Sequence, residues 1–368
     1  MVKQASRAPL FIIGMYKSGT SWLLRILDKH PHLRGVKEID LIGAGAGKVV
    51  NGDALLPRKE RLISYFSANA WAALPKDLAG NTQATSILAR NTGSESISSI
   101  FELSAEKAID TILELYAVKS KHISLDWAPN EKHQLLSVID VPRAALIELY
   151  KRIAAAVSIY EAADAFLETM YLIIDHRSNL VLKGADLIAR YGYLNKWKPS
   201  GKKVLIVRDG RDVAISAVHY RRLMRSVKRA HVDDEDDYWN LLNAWRNRVN
   251  ILRDMANDGN LVILRYEDLM LNFKKIVAAL FSWLDLAYAD TTLDEVYQAT
   301  SFETLTDRKP GESAQHLLRR GMIGEWKEVL SPSDSQNAWQ VAGEELTFLG
   351  YTEFGRYEPL DIAGALLI

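Results

Sequence analysis

Four short apolar runs punctuate the chain, and each gives way to a polar loop ahead of a helical pattern. They are Leu10–Ile13, Asn179–Leu182, Lys203–Val207 and Asn260–Leu264. Runs this short and continuous, rich in β-branched residues and lacking alternation, fit strands buried on both faces. Helical segments between them predict an α/β fold: a doubly wound, mostly parallel sheet whose ligands bind beyond the carboxyl ends of the strands. The loops that follow the runs gather at that edge.

From Gly43 to about residue 176 the pattern is helical, with helices expected over Arg61–Ala73, Ser104–Val118, Pro142–Val157 and Tyr160–Ile174. No Pro- or Gly-rich linker marks a boundary. The segment 43–176 therefore reads as a helical insertion capping one domain that spans 1–368. Gly43-Ala44-Gly45-Ala46-Gly47 follows no strand, so it reads as a flexible entrance loop. The acidic run Asp233–Asp237, after a basic stretch from Arg221 to Arg229, reads as a solvated helix end and loop.

Composition narrows the chemistry. The chain has 368 residues, 48% hydrophobic and 25% charged, enough for a large core without covalent staples. It has no Cys, which excludes disulfides, thiolate metal sites and a Cys nucleophile and fits a reducing, cytoplasmic compartment. Lys plus Arg and Asp plus Glu are equal at 46 each. Bulk attraction to nucleic acid is not expected, and any anion site must be a local cluster. No apolar stretch approaches the ~18 residues of a membrane span, and the N-terminus lacks a signal-peptide core. The apolar end Ala363–Ile368 either packs on the body or is an arbitrary boundary.

The strongest local signal follows the first run. Gly14-Met15-Tyr16-Lys17-Ser18-Gly19-Thr20-Ser21-Trp22 leads into the helical pattern Leu23, Leu24, Ile26, Leu27. Strand, tight loop and helix N-terminus in that order form an anion cradle of backbone N–H groups and helix dipole, to which Lys17 adds a full charge. The Gly spacing is that of a P-loop, but Thr20 and Ser21 stand where ATP enzymes place Lys and Ser or Thr. The loop is thus suited to a phosphate without the usual Lys and Mg²⁺ arrangement.

After the third run, Arg208 stands at the strand end and Ser216 one to two turns into the next helix, a pairing suited to a second phosphate. Late in the chain, Arg319-Arg320-Gly321 puts two cations beside a glycine that a ligand can approach. The three together imply a ligand with phosphates at two ends.

These segments resemble the sulfotransferases that use 3′-phosphoadenosine 5′-phosphosulfate (PAPS). Lys17-Ser18-Gly19-Thr20-Ser21-Trp22 is similar to that family's P-K-S-G-T-T-W. Arg208, Asp209, Asp212 and Ser216 match R-[ND]-P-x-D-x-x-x-S, with Gly210 in place of Pro. Arg319-Arg320-Gly321 and Gly324-Glu325-Trp326-Lys327 match R-K-G-x-x-G-D-W-K with conservative changes, and Arg265-Tyr266-Glu267-Asp268-Leu269 is also familial. The motifs run from residue 10 to about 330 in the family's order.

The resemblance implies that Lys17, Ser18, Gly19, Thr20, Ser21 and Trp22 bind the 5′-phosphosulfate. Arg208, Ser216, Arg319, Arg320 and Gly321 would bind the 3′-phosphate. Trp22 is open between a place near the adenine and core packing; Trp326 reads as core. Lys17 and Lys183 would stabilise the sulfuryl group, and no metal is required because lysines do the neutralising. The small-molecule branch keeps a His two residues after its Lys, where this chain has Ala185. The heparan-sulfate-like and bacterial branch uses a Glu after the first helix, which makes Glu38 the candidate base, with His176 and Asp186 as alternatives. Asp40, Leu41 and Ile42 depart from that branch's His and aromatics.

The expected reaction moves a sulfuryl group to a hydroxyl or amine of a small-molecule, lipid or glycan acceptor and leaves 3′,5′-ADP. Two other readings stay open: a P-loop nucleotide kinase, or a non-catalytic module that binds adenosine bisphosphate. Neither nucleic acid nor a membrane span is expected, and no oligomeric state is implied.

Overall fold

The computed structural model of the chain describes residues 8–36, 82–93, 100, 102–122, 135–136, 140–184, 187–226, 234–255, 257–312, 318–359 and 366–367. Its elements begin with β1 (Leu10–Ile13), α1 (Thr20–Asp28) and β2 (Leu33–Gly35). Four helices follow: α2 (Thr82–Thr92), α3 (Ala105–His122), α4 (Arg143–Ala155) and α5 (Ile159–Tyr171). Next come β3 (Asn179–Lys183), α6 (Tyr191–Trp197), β4 (Lys203–Val207), α7 (Gly210–Ser226), α8 (Asp234–Met255) and β5 (Leu261–Arg265). The chain continues through α9 (Tyr266–Leu271), α10 (Phe273–Trp283), α11 (Asp290–Thr300) and α12 (Phe302–Thr306). It closes with α13 (Trp326–Val329), α14 (Pro332–Phe348) and β6 (Leu366–Leu367).

Contacts divide the chain into two units: 1–33 with 127–133 and 186–368, and 34–126 with 134–185. In the first, strands lie in the order β1-β4-β5-β6, and every pairing is parallel. Ile12 stands opposite Val204, Leu205 opposite Ile263, and Ile263 opposite Leu367. Every residue of β1, β4 and β5 is buried, as continuous apolar strands require. The α/β, mostly parallel class read from the sequence is therefore correct. Because the strands are parallel, the loops that follow β1, β4 and β5 leave from one edge.

β6 was not foreseen. Its two residues are too few to show a period, and they become a strand by adding to β5. The acidic run also behaves differently from expectation. Asp234 starts α8, so the run opens a helix. Asp237 is buried and accepts from Arg221 Nη1 at 2.8 Å, which joins α7 to α8. Local signals do fix α14: Pro332 occupies its first turn, and the Ser331 side chain accepts from Asp334 N at 3.1 Å.

The second unit holds α2 to α5 with β2 beside β3. Leu146, Leu149, Tyr150 and Ile153 make the buried stripe of α4 at three- and four-residue spacing. α5 is capped by Ser158, whose hydroxyl accepts from Glu161 N at 3.1 Å. Val36 N donates to Val181 O at 3.0 Å, extending the pairing past β2. Three of the expected helices appear here with ends shifted by a few residues; Arg61–Ala73 and the Gly43–Gly47 stretch lie outside the described residues. Among the described residues no helix is long and apolar enough to cross a membrane.

Candidate functional site

The loop between β1 and α1 is built by two residues with left-handed backbone, Lys17 (φ 71°) and Gly19 (φ 97°). Gly19 has no steric objection to that geometry, whereas Lys17 holds it at a cost of ~1–2 kcal/mol. A Cβ on Gly19 would fall 2.6 Å from the Tyr266 ring, and one on Gly14 2.9 Å from Ile206 O. Both glycines are thus demanded by packing against β4 and α9. Ser18 N donates to Met15 O at 3.2 Å, closing the turn, and Ser18 and Thr20 are buried. α1 begins with no side-chain cap, so the positive end of its dipole lies at the loop, where Trp22 N and Leu23 N donate to Gly19 O, both at 3.0 Å.

Arg208 leaves the end of β4 and reaches both neighbouring loops. Its Nη1 donates to Lys17 O at 3.2 Å and its Nη2 to Met322 O at 2.9 Å. Arg208 is 8% exposed, its guanidinium lies 4.5 Å from the Tyr266 ring centroid, and its buried Nε has no hydrogen-bond partner among the described residues. Asp212, one turn on, bonds the late loop: Oδ2 accepts from Gly324 N at 2.7 Å and Oδ1 from Trp326 N at 3.0 Å. Burial raises the Asp212 pKa, opposed by the nearby Arg208 charge. Ser216 lies a further turn along α7, half-buried.

The late loop carries its own counter-charges. Arg319 pairs with Glu325, and Arg320 reaches Glu325 at 3.4 Å and Glu328 at 3.0 Å. Arg319 Nε is buried with no hydrogen-bond partner among the described residues. Arg320 Nε also donates to Gly311 O at 3.0 Å, and Arg308 holds the backbone from below through Arg319 O at 2.6 Å. Gly321 has φ 58°, and a Cβ there would sit 2.5 Å from the Phe302 ring.

Beneath Arg208 and Asp212 lies a buried ionic floor. Arg211 is fully buried, pairs with Asp209 at 2.8 Å, and stacks 3.7 Å from the Trp326 ring centroid. It also donates to Thr352 O and Glu353 O, both at 3.0 Å. Glu267 accepts from Asp209 N at 3.1 Å and from the Tyr351 hydroxyl at 2.9 Å. Burial pushes its pKa up to about 7 despite the attraction of Arg208.

The three sequence segments singled out as phosphate binders are thus tied together, with Arg208 as the common hinge. Trp22 packs edge-on against Tyr266 and beside Phe273, and its Nε1 donates to Thr300 O at 2.8 Å. Its N–H is committed to the protein. Trp326 is buried in the core. Lys183 ends β3 in the second unit and is buried. Glu38 and Asp186 lie outside the described residues. His176 is exposed, 3.6 Å from Asp175. Sequence reasoning gave no role to Asp212, Arg211 or Glu267. The available signals were the motif that Arg208, Asp209 and Asp212 match and the familial segment that contains Glu267. Among the described residues no three His, Asp or Glu converge as a metal site.

The sulfotransferase family profile matches residues 9–290. Mouse (Mus musculus) sulfotransferase 1B1 is 26% identical over 158 residues, 38% of this chain and 52% of that protein. Human (Homo sapiens) sulfotransferase 2A1 is 21% identical over 164 residues, covering 40% and 57%. The chain spans about half the length of the curated relatives it matches. Among solved structures, sulfotransferase STF9 from Mycobacterium avium is similar at 14% identity and TM-score 0.47, covering 95% of this chain and 79% of that one.

Proposed function

Since the chain belongs to the sulfotransferase family, we propose that it moves a sulfuryl group from PAPS to a hydroxyl or amine of a small-molecule, lipid or glycan acceptor. The observation that carries this reading is the Arg208 side chain, which bonds Lys17 O in the first loop and Met322 O in the late loop. Two anion-binding segments held by one guanidinium suit a nucleotide with phosphates at both ends.

The residues present fit such a donor. The uncapped start of α1 offers N–H groups, and the buried Nε atoms of Arg208 and Arg319 are donors without acceptors. Lys17 to Ser21 would hold the 5′ end, with Trp22 packing the helix behind them. Arg208, Ser216, Arg319, Arg320 and Gly321 would hold the 3′-phosphate. When bound, the donor supplies an activated sulfuryl group and leaves as 3′,5′-ADP. Lys17 contributes a fixed cation where negative charge grows at the 5′ end, and positioning by the loop is the larger part of its effect. Lys183 is the second cation in this scheme. Glu38 takes the acceptor proton, with His176 and Asp186 as the alternatives. The helical region 43–176 selects the acceptor, and the cysteine-free sequence supports a cytoplasmic protein.

The test is transfer of labelled sulfate from PAPS into a metabolite extract with a chelator present, alongside calorimetry with 3′,5′-ADP. Wild type should transfer and bind, and Lys17→Ala should lose turnover. Binding of ATP with magnesium but not of 3′,5′-ADP would favour the kinase reading instead. Binding of 3′,5′-ADP without transfer to any acceptor would favour the non-catalytic module.

A further inference from the structure

One face of α7 touches both loops. Asp212, Ser216 and Tyr220 follow one another at four-residue steps, which keeps them on a single stripe of the helix. Asp212 bonds the N–H groups of Gly324 and Trp326 in the late loop. Tyr220, two turns on, reaches the first loop: the Lys17 Nζ stands 5.2 Å from its ring centroid. That separation is within the range where the negative face of an aromatic ring attracts an ammonium.

The geometry points to Tyr220 as a positioning residue for Lys17, holding the ammonium over its ring so that the 5′ end of the nucleotide meets a cation already in place. This inference rests on the reading of Lys17 as the cation for that end. Two contacts on one segment of chain support it. Arg208, at the start of that segment, bonds the Lys17 carbonyl at 3.2 Å, and Tyr220 takes the far end of the same residue. Lys17 is therefore gripped at backbone and side chain by residues only twelve positions apart, 220 less 208. A lysine left loose would surrender more rotamer freedom when a ligand arrives. The ring limits that freedom beforehand. Tyr220 and Lys17 are both half-buried.

The test is a double-mutant cycle read by calorimetry with two ligands, 3′,5′-ADP and adenosine 3′-monophosphate, the second lacking the 5′ group. Tyr220→Leu should weaken 3′,5′-ADP about two- to five-fold, the worth of a partly exposed cation–π contact. It should leave adenosine 3′-monophosphate unchanged. Tyr220→Phe, which keeps the ring face, should recover the affinity. In a Lys17→Ala background Tyr220→Leu should have no further effect. Tyr220→Met, similar in volume and without a ring, gives the same readings should the Leu variant fold poorly. Equal weakening of both ligands, or the same loss with Lys17 already removed, would overturn the inference while leaving the nucleotide site intact. If the wild-type protein bound the two ligands equally, the reading of the first loop would itself fail, and this inference with it.

Discussion

The first loop and the late loop are both short, basic and shaped by glycines with left-handed backbone, yet their polar groups are used differently. In the first, α1 starts without a side-chain cap, and the Lys17 ammonium stands 5.2 Å from the Tyr220 ring centroid. In the late loop, Asp212 already accepts the N–H groups of Gly324 and Trp326, and two arginines face the two carboxylates of Glu325 and Glu328. The first loop leaves the start of its helix without a side-chain cap; in the second, both arginines are already paired with carboxylates. An anion that binds the late loop must therefore compete with carboxylates for the arginines. Basic residues in a sequence do not by themselves make a basic site.

The largest effect should come from the side chain both loops share. Arg208→Ala strips the Lys17 and Met322 carbonyls of their donor and leaves Asp212 without a facing cation. Removing one member of a buried, bonded charge cluster costs about 3–5 kcal/mol, so a lower urea midpoint is expected with loss of 3′,5′-ADP binding of ~100-fold or more. If both loops kept their affinity, the picture of a common hinge would be wrong.

The floor beneath them should give the next effect, through pH. Burial, opposed by Arg208, lifts Glu267 from the ordinary carboxyl value of 4.5 to about 7. A carboxyl with a raised pKa in the fold favours the protonated state there. Its contribution to stability is complete below pH 4.5 and lost as pH rises through about 7. Unfolding free energy should fall by about 2–3 kcal/mol between pH 5 and 8 in the wild-type protein. Glu267→Gln, able to accept from Asp209 N and donate to Tyr351, should flatten that slope. Equal slopes in the two proteins would place the titration elsewhere.

The smallest effect addresses the late loop directly. Glu325→Gln removes the carboxylate shared by Arg319 and Arg320. With that competitor gone, 3′,5′-ADP should bind about three-fold more tightly, while 5′-AMP, which lacks the 3′-phosphate, should not change. Parallel weakening of both nucleotides would mean that Glu325 chiefly builds the loop, and the contrast between the loops would lose its functional meaning.

Much of the framework is legible in the sequence. The ends of β1 and β4 coincide with the apolar runs, because a strand buried on both faces has no polar position to blur its limits. A Gly-bounded loop passing into a helix before Leu23 followed from local chemistry alone, and the helix starts at Thr20. β6 was missed because it is too short to carry a pattern, and the start of α8 was misread because a charge run looks alike at a helix end and a helix start. Trp22 was left open between a ligand and the core; its bond to Thr300 shows the indole N–H committed to the protein.

By itself, then, the sequence determined the buried strands β1, β4 and β5, their order and the family motifs, because those depend on residues near one another along the chain. Tertiary structure decided which charges are already matched. Arg208 meets Met322 and Asp212 meets Gly324 across more than a hundred positions, separations of 114 and 112 residues. No local spacing encodes such pairings. They exist because parallel strands deliver distant loops to one edge, where burial makes each unmatched polar group costly enough to find a partner.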